Sequence, residues 1–182
     1  MNTLSRWLAL SGMLALLSGC ASHAPMPTVE RVDLDRFMGT WYVVANIPTW
    51  LERDAHNAVE HYALNSDGSI ATTFQFRDGA FDGPLKTYRP TGFVMETQSN
   101  ALWGMQFLWP IKADYRIVDL TADYSQVIIA RQARDYVWVM ARQPEFSDQA
   151  FAQARARIAE LGYDGEALRR VPQQWPEAEP RS

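Results

Sequence analysis

A chain of 182 residues with 17 Lys and Arg against 21 Asp and Glu, net charge −4, is long enough for one domain with its own core. It has no basic cluster to track a nucleic-acid backbone. Its single cysteine, Cys20, excludes an intrachain disulfide and a cysteine zinc site.

In chain order, Arg6 comes first, followed by the apolar run Trp7–Leu17, which has the charge and length of a secretory signal and is too short to span a bilayer comfortably. It ends in Leu17-Ser18-Gly19-Cys20, which resembles the bacterial lipobox. The alternative is an ordinary secretory signal with an incidental cysteine. The resemblance implies a signal peptide over residues 1–19 and a triacylated Cys20 as the first mature residue. Several acyl chains anchor durably, at roughly 0.8 kcal/mol per buried CH₂. Ala21 stands where lipoproteins retained at the inner membrane commonly carry Asp, so the expected location is the outer membrane, facing the periplasm. Residues 20–31, with Pro25 and Pro27, read as a lipidated tether.

From Asp33 to Arg142 short β-like runs alternate with turn signals. Strands are expected over Trp41–Ile47, Asn57–Leu64, Ile70–Arg77, Leu85–Glu96, Ala101–Trp109, Tyr115–Leu120, Ser125–Gln132 and Tyr136–Arg142. Asn65-Ser66-Asp67-Gly68 is a hairpin turn, because Asp-Gly tolerates positive φ. These strands predict a mainly β protein, an eight-stranded antiparallel up-and-down barrel with room for one small ligand. Ser147 is placed to cap one C-terminal helix. In it Phe151, Ala154, Ile158 and Leu161 recur at helical spacing, a stripe that would pack on the outside of the barrel, and Gly162 is placed to end it. From Pro172 onward, with Pro176 and Pro180, the tail reads as extended and loosely held, and flexible over residues 176–182.

Three separated motifs resemble one family. Gly39-Thr40-Trp41 resembles the Gly-x-Trp signature of the first lipocalin strand. Thr121-Ala122-Asp123-Tyr124 resembles the Thr-Asp-Tyr turn, with one residue inserted, and Val139-Met140-Ala141-Arg142 resembles the end of the eighth strand with its returning arginine. The similarity spans about Val32–Trp175 and is nearest to the bacterial outer-membrane lipocalins, relatives of apolipoprotein D. It implies a hydrophobic ligand, a fatty acid or lysophospholipid, held for envelope lipid maintenance, with no cofactor and with room for a homodimer. The physical counterpart is a barrel closed at one end. Trp41 would plug that end, the Arg142 guanidinium would stack on the indole, and Gly39 would let the chain cross closely beneath.

Period-two alternation places Ala58, Glu60, Tyr62 and Leu64 on one face of the second strand and Ile70, Thr72, Phe74 and Phe76 on one face of the third. Trp103, Met105, Phe107 and Trp109 share a face of the fifth, and Tyr115 and Ile117 one of the sixth. The resemblance makes these the inward faces, with Glu60, Tyr62, Phe74, Phe76, Trp103, Met105, Phe107 and Tyr115 as the ligand-binding set. The loop Pro48–Arg53 would lie over the mouth and bring Trp50 and Leu51 to ligand or membrane. Glu60 departs from the small residue usual in relatives. Facing inward as a carboxylate it would bind a polar head or reject an acidic one; a one-residue shift in register would instead turn His61 inward. His23 lies in the tether, and His56 and His61 are badly spaced for a metal pair. There is no nucleophile elbow, phosphate loop or His-Glu-x-x-His motif. The expectation is a carrier without catalytic or metal residues. A lipid-modifying enzyme using Glu60 and Tyr62, or a non-binding envelope scaffold, are the alternatives.

Overall fold

The computed structural model describes residues 24–177. The expected signal peptide, Cys20, His23 and the last five residues lie outside the described part. A one-turn helix α1 (Leu34–Phe37), capped by Asp33 accepting from Arg36 N at 3.2 Å, leads into β1 (Gly39–Ile47). A 3₁₀ turn (Trp50–Glu52) precedes β2 (Ala55–Leu64). Then come β3 (Ile70–Asp78), β4 (Leu85–Tyr88), β5 (Thr91–Glu96), β6 (Leu102–Leu108), β7 (Ile111–Leu120), β8 (Gln126–Ala130) and β9 (Val137–Ala141). Helix α2 (Asp148–Glu160) and the two-residue β10 (Arg169–Arg170) end the order.

Every strand pairing is antiparallel, and β9 returns to β1, so the sheet closes into a barrel. The expected single fourth strand is two. Pro90 has no N–H to give the ladder, and the chain breaks there: β4 pairs with the upper part of β3, while β5 pairs with its lower part and with β6. Counting β4 and β5 as one broken strand, the barrel has the expected eight. The sixth begins earlier than expected, at Ile111, and the fifth ends before Trp109, which sits in the turn.

Two apolar cores result. One fills the closed end of the barrel around Phe37, Trp41, Tyr62 and Trp103. The other lies outside, where Ala154, Ile158 and Leu161 of the α2 segment cover Val44, Val118, Ile128 and Val139. Ser147 Oγ accepts from Ala150 N at 3.1 Å, as its N-cap position predicts. Gly162, at φ +88°, ends the helix, and Arg134 Nε donates to Leu161 O at 2.7 Å above it.

Both ends of the described chain differ from the expectation of loose segments. Residues 24–31 are fastened along the wall: Met26 is buried, its N–H donates to Gln132 Oε1 at 2.8 Å, and Val29 N donates to Ile117 O at 3.0 Å. The stretch from Pro172 is extended but tied down. A bulge at Asn57 (φ +48°) parts β2 from the upper half of β1, and the C-terminal strip fills the gap. There Gln173 Nε2 donates to Val43 O at 2.8 Å and Ala58 O at 3.1 Å, bridging both strands, while Gln174 N donates to Asn57 Oδ1 at 2.7 Å. Backbone groups left unpaired by the bulge need these partners, which sequence patterning does not reveal.

Candidate functional site

The closed end is built from the family motifs. Gly39 has φ +95°, so glycine is required by backbone conformation, whereas a Cβ would meet nothing nearer than Arg142 Nη1 at 3.4 Å; close crossing is not the reason for it. Trp41 is fully buried and donates Nε1–H to Phe37 O at 2.8 Å. The Arg142 guanidinium lies 3.8 Å from the Trp41 ring centroid. It also donates to Thr40 O (2.8 Å), Arg36 O (2.8 Å), Phe37 O (3.0 Å) and Met38 O (2.9 Å). One planar cation thus gathers the carbonyls that the end of α1 leaves unpaired. Asp123 tightens the adjoining turn: hydrogen bonds from Thr121 and then Ser125 hold its carboxyl down at about 2. Arg36 donates to Ala122 O at 3.0 Å and covers the Tyr124 ring, joining that turn to α1.

Above this base lies an aromatic floor. Phe37 packs on Trp41, Tyr62 and Trp103 with centroids 5.1, 5.6 and 5.2 Å apart, and Trp103 stacks on Tyr115 at 5.5 Å. Above the floor a cavity of about 460 Å³ opens to the far end. Of the eight residues expected to bind ligand, Glu60, Phe74, Met105, Phe107 and Tyr115 line it. Tyr62, Phe76 and Trp103 point inward but are buried in packing and do not reach the cavity. Alternation assigns a face and says nothing of depth along the barrel axis. For the same reason Leu64, beyond the floor, is exposed, and Trp109, past the end of its strand, is the most exposed apolar side chain described. Alternation alone puts both on the inward wall.

Glu60 faces inward and His61 outward, where His61 Nδ1 lies 3.1 Å from Thr40 Oγ1; the shifted register is not found. The Tyr62 hydroxyl donates to Glu60 Oε2. The Tyr62 and Tyr115 hydroxyl oxygens are 2.6 Å apart, so with the Tyr62 proton committed, Tyr115 is the donor between them. Burial, and then the charge of Glu52, push the Glu60 carboxyl up to about 8. At neutral pH it is therefore protonated, and the charge repulsion expected of an inward carboxylate is absent. With Oε2 accepting, the acid proton belongs on the other oxygen, where it is free to donate to a guest.

Glu52 escaped the sequence reading. It is buried at the mouth, accepts from Thr49 N at 3.1 Å and from Trp138 Nε1 at 2.9 Å, and burial raises its carboxyl against those bonds. The Thr49-x-x-Glu52 spacing of a capping box was the available signal. Trp50 and Leu51 of the same loop line the cavity as expected, joined by Thr72, Tyr88, Ala113, Arg131 and Trp138. Among the described residues no three side chains of metal-binding type converge, and no helix is long and apolar enough to cross a membrane. The site is an apolar socket with a hydrogen-bonding acid near its floor.

The profile of the lipocalin-like domain family matches residues 32–173. The chain is similar to the outer membrane lipoprotein Blc of Citrobacter freundii, 27% identical over 152 residues, covering 82% of this chain and 85% of that protein. It is 28% identical over 156 residues to apolipoprotein D of Oryctolagus cuniculus, covering 74% of this chain and 75% of that one. Among solved structures, insecticyanin of the tobacco hornworm Manduca sexta superposes with a TM-score of 0.66 at 10% identity, covering 85% of this chain and 87% of that one, which speaks for the shared fold.

Proposed function

The chain belongs to the lipocalin-like family; on that premise we propose that it binds a hydrophobic ligand and is anchored through acylated Cys20 in the outer membrane, facing the periplasm. There it carries a lysophospholipid or a fatty acid in envelope lipid maintenance. The supporting observation is the blind cavity of about 460 Å³, plugged at one end by the Trp41 floor and walled by Phe74, Met105, Phe107 and Tyr115. That size lies within the range of about 300–1,000 Å³ common to small-molecule sites. Burying an acyl chain there is worth roughly 25 cal/mol per Å² of apolar area before the cost of immobilising it. Because Glu60 is uncharged at neutral pH, it favours a hydrogen-bond acceptor at the leading end of the ligand, and it rejects acidic heads only once pH passes about 8.

The test is a fluorescence-displacement titration with matched lysophosphatidylcholine and palmitate, followed by extraction of the lipid. Saturable displacement with the lipid recovered intact supports a carrier. Hydrolysed or isomerised lipid would make the protein an enzyme, and no displacement by either lipid would leave a scaffold. Native mass spectrometry of protein taken from bacterial envelope identifies the occupant.

A further inference from the structure

The open rim of the barrel is more apolar than a free protein surface should be. Nine large apolar side chains are exposed among the described residues, and seven of them belong to the open end: Trp50, Phe81, Leu85, Phe107, Leu108, Trp109 and Ile111. The strand directions place them there. β1, β3, β6 and β8 all run from the plugged end to the open one, so the loops that follow them form the rim. Three of these four loops, with the strand ends that flank them, carry the exposed apolar residues. The longest run is the β6–β7 tip, where Leu108, Trp109 and Ile111 are 71%, 81% and 66% exposed. Scattered apolar residues are ordinary, but seven gathered at one end of the barrel mark a contact surface.

The fourth loop, after β8, receives the N-terminal segment. Gln132 Nε2 and Arg134 Nη2 both donate to Ala24 O, at 3.2 and 3.0 Å. The chain therefore meets the barrel at its open end, on the same rim as the apolar loops. Three residues separate Ala24 from Cys20, so the two are four chain steps apart, about 14 Å at full extension. An acyl anchor at Cys20 cannot lie far from that rim, and the plugged end is the distant one.

We propose that the barrel stands mouth-down on the bilayer, with the β6–β7 tip and the Trp50 loop inserted in the headgroup region, so that a lipid passes between leaflet and cavity without crossing water. Trp at such a tip suits the interface, where an amphipathic ring is at home. The position of the anchor rests on the proposed acylation of Cys20; the apolar rim stands without it.

The experiment uses the mature lipoprotein extracted from bacterial membranes and reconstituted in phosphatidylethanolamine–phosphatidylglycerol vesicles. Acylation would block Cys20, the only native thiol, so a cysteine introduced by Trp109→Cys or Leu64→Cys can carry one environment-sensitive dye. The dye at position 109 should shift to the blue, be quenched by shallow lipid-borne spin labels and resist aqueous iodide. The dye at position 64, on the plugged end, should do the reverse. Dye at 109 as open to iodide as dye at 64, on protein that remains vesicle-bound, overturns the orientation and leaves the anchor reading intact. Failure to bind vesicles overturns both. Shielding at 109 that comes with dye self-quenching and no response to lipid-borne labels would mean that a second copy covers the rim, which also overturns the proposal. A second readout is the Trp109→Ser/Ile111→Ser variant, whose side chains do not line the cavity. It should take up a fluorescent lysophospholipid from vesicles about tenfold more slowly while keeping its affinity for the same lipid in solution. Unchanged uptake would refute membrane docking as the route of entry.

Discussion

Glu60→Gln isolates the effect of one buried acid on stability. In the unfolded chain Glu60 ionises near its ordinary 4.5; in the folded barrel burial, followed by the Glu52 charge, moves it to about 8. A raised acid binds its proton more tightly when folded. Its contribution is therefore fully present below pH 4.5 and is lost progressively as pH rises through about 8. For that shift, linkage gives a loss of roughly 4 kcal/mol between pH 5 and pH 9. Glutamine keeps the shape, still accepts the Tyr62 hydroxyl bond and cannot ionise. Urea unfolding of both proteins at intervals from pH 5 to pH 9 should show wild-type stability falling steeply and the variant falling much less. The residual slope belongs largely to Glu52, also raised by burial and present in both. Parallel stability curves for the two proteins would show that Glu60 is not protonated in the folded state, and the acid near the cavity floor would have to be treated as a carboxylate.

The remaining predictions concern the plug, the C-terminal strip, the cavity and the anchor. Trp41→Ala should cost roughly 3–5 kcal/mol in a denaturant titration, as expected for a fully buried ring that leaves the Arg142 face bare; an unchanged midpoint would mean that the base does not depend on it. Gln173→Ala removes both bridging bonds to Val43 O and Ala58 O and should cost about 1–2 kcal/mol, with faster amide exchange where β1 and β2 part, as read by hydrogen-exchange mass spectrometry. Ala113→Trp should fill the cavity from its β7 wall and reduce lipid binding at least tenfold in the displacement assay with little loss of stability; undiminished binding would place the ligand elsewhere. Cys20→Ser should yield an unprocessed or soluble precursor, and recovery of a mature-length protein with the outer membrane would remove the anchor assignment.

The strands, the turn at Gly68, the Ser147 cap and the plug of Gly39, Trp41 and Arg142 were legible in the sequence because each is written in local spacing. Period two marks a strand face, an Asp-Gly pair marks a hairpin, and the family motifs stand in their order along the chain. The break at Pro90 was legible in principle, since proline cannot serve an interior ladder, but eight β-branched and aromatic runs hid it. The division of the inward aromatics was not legible: Tyr62 and Trp103 form floor while Phe74 and Met105 form cavity wall. Nor were the burial of Glu52, the C-terminal strip filling the gap at Asn57, and the meeting of the N-terminal segment with the apolar rim. Alternation records which side of the sheet a residue faces. Its depth in the barrel, and hence whether it packs, lines a cavity or titrates, depends on strand stagger and on partners as much as 130 residues away, as Val43 and Gln173 are. Those distances are closed only when the barrel closes.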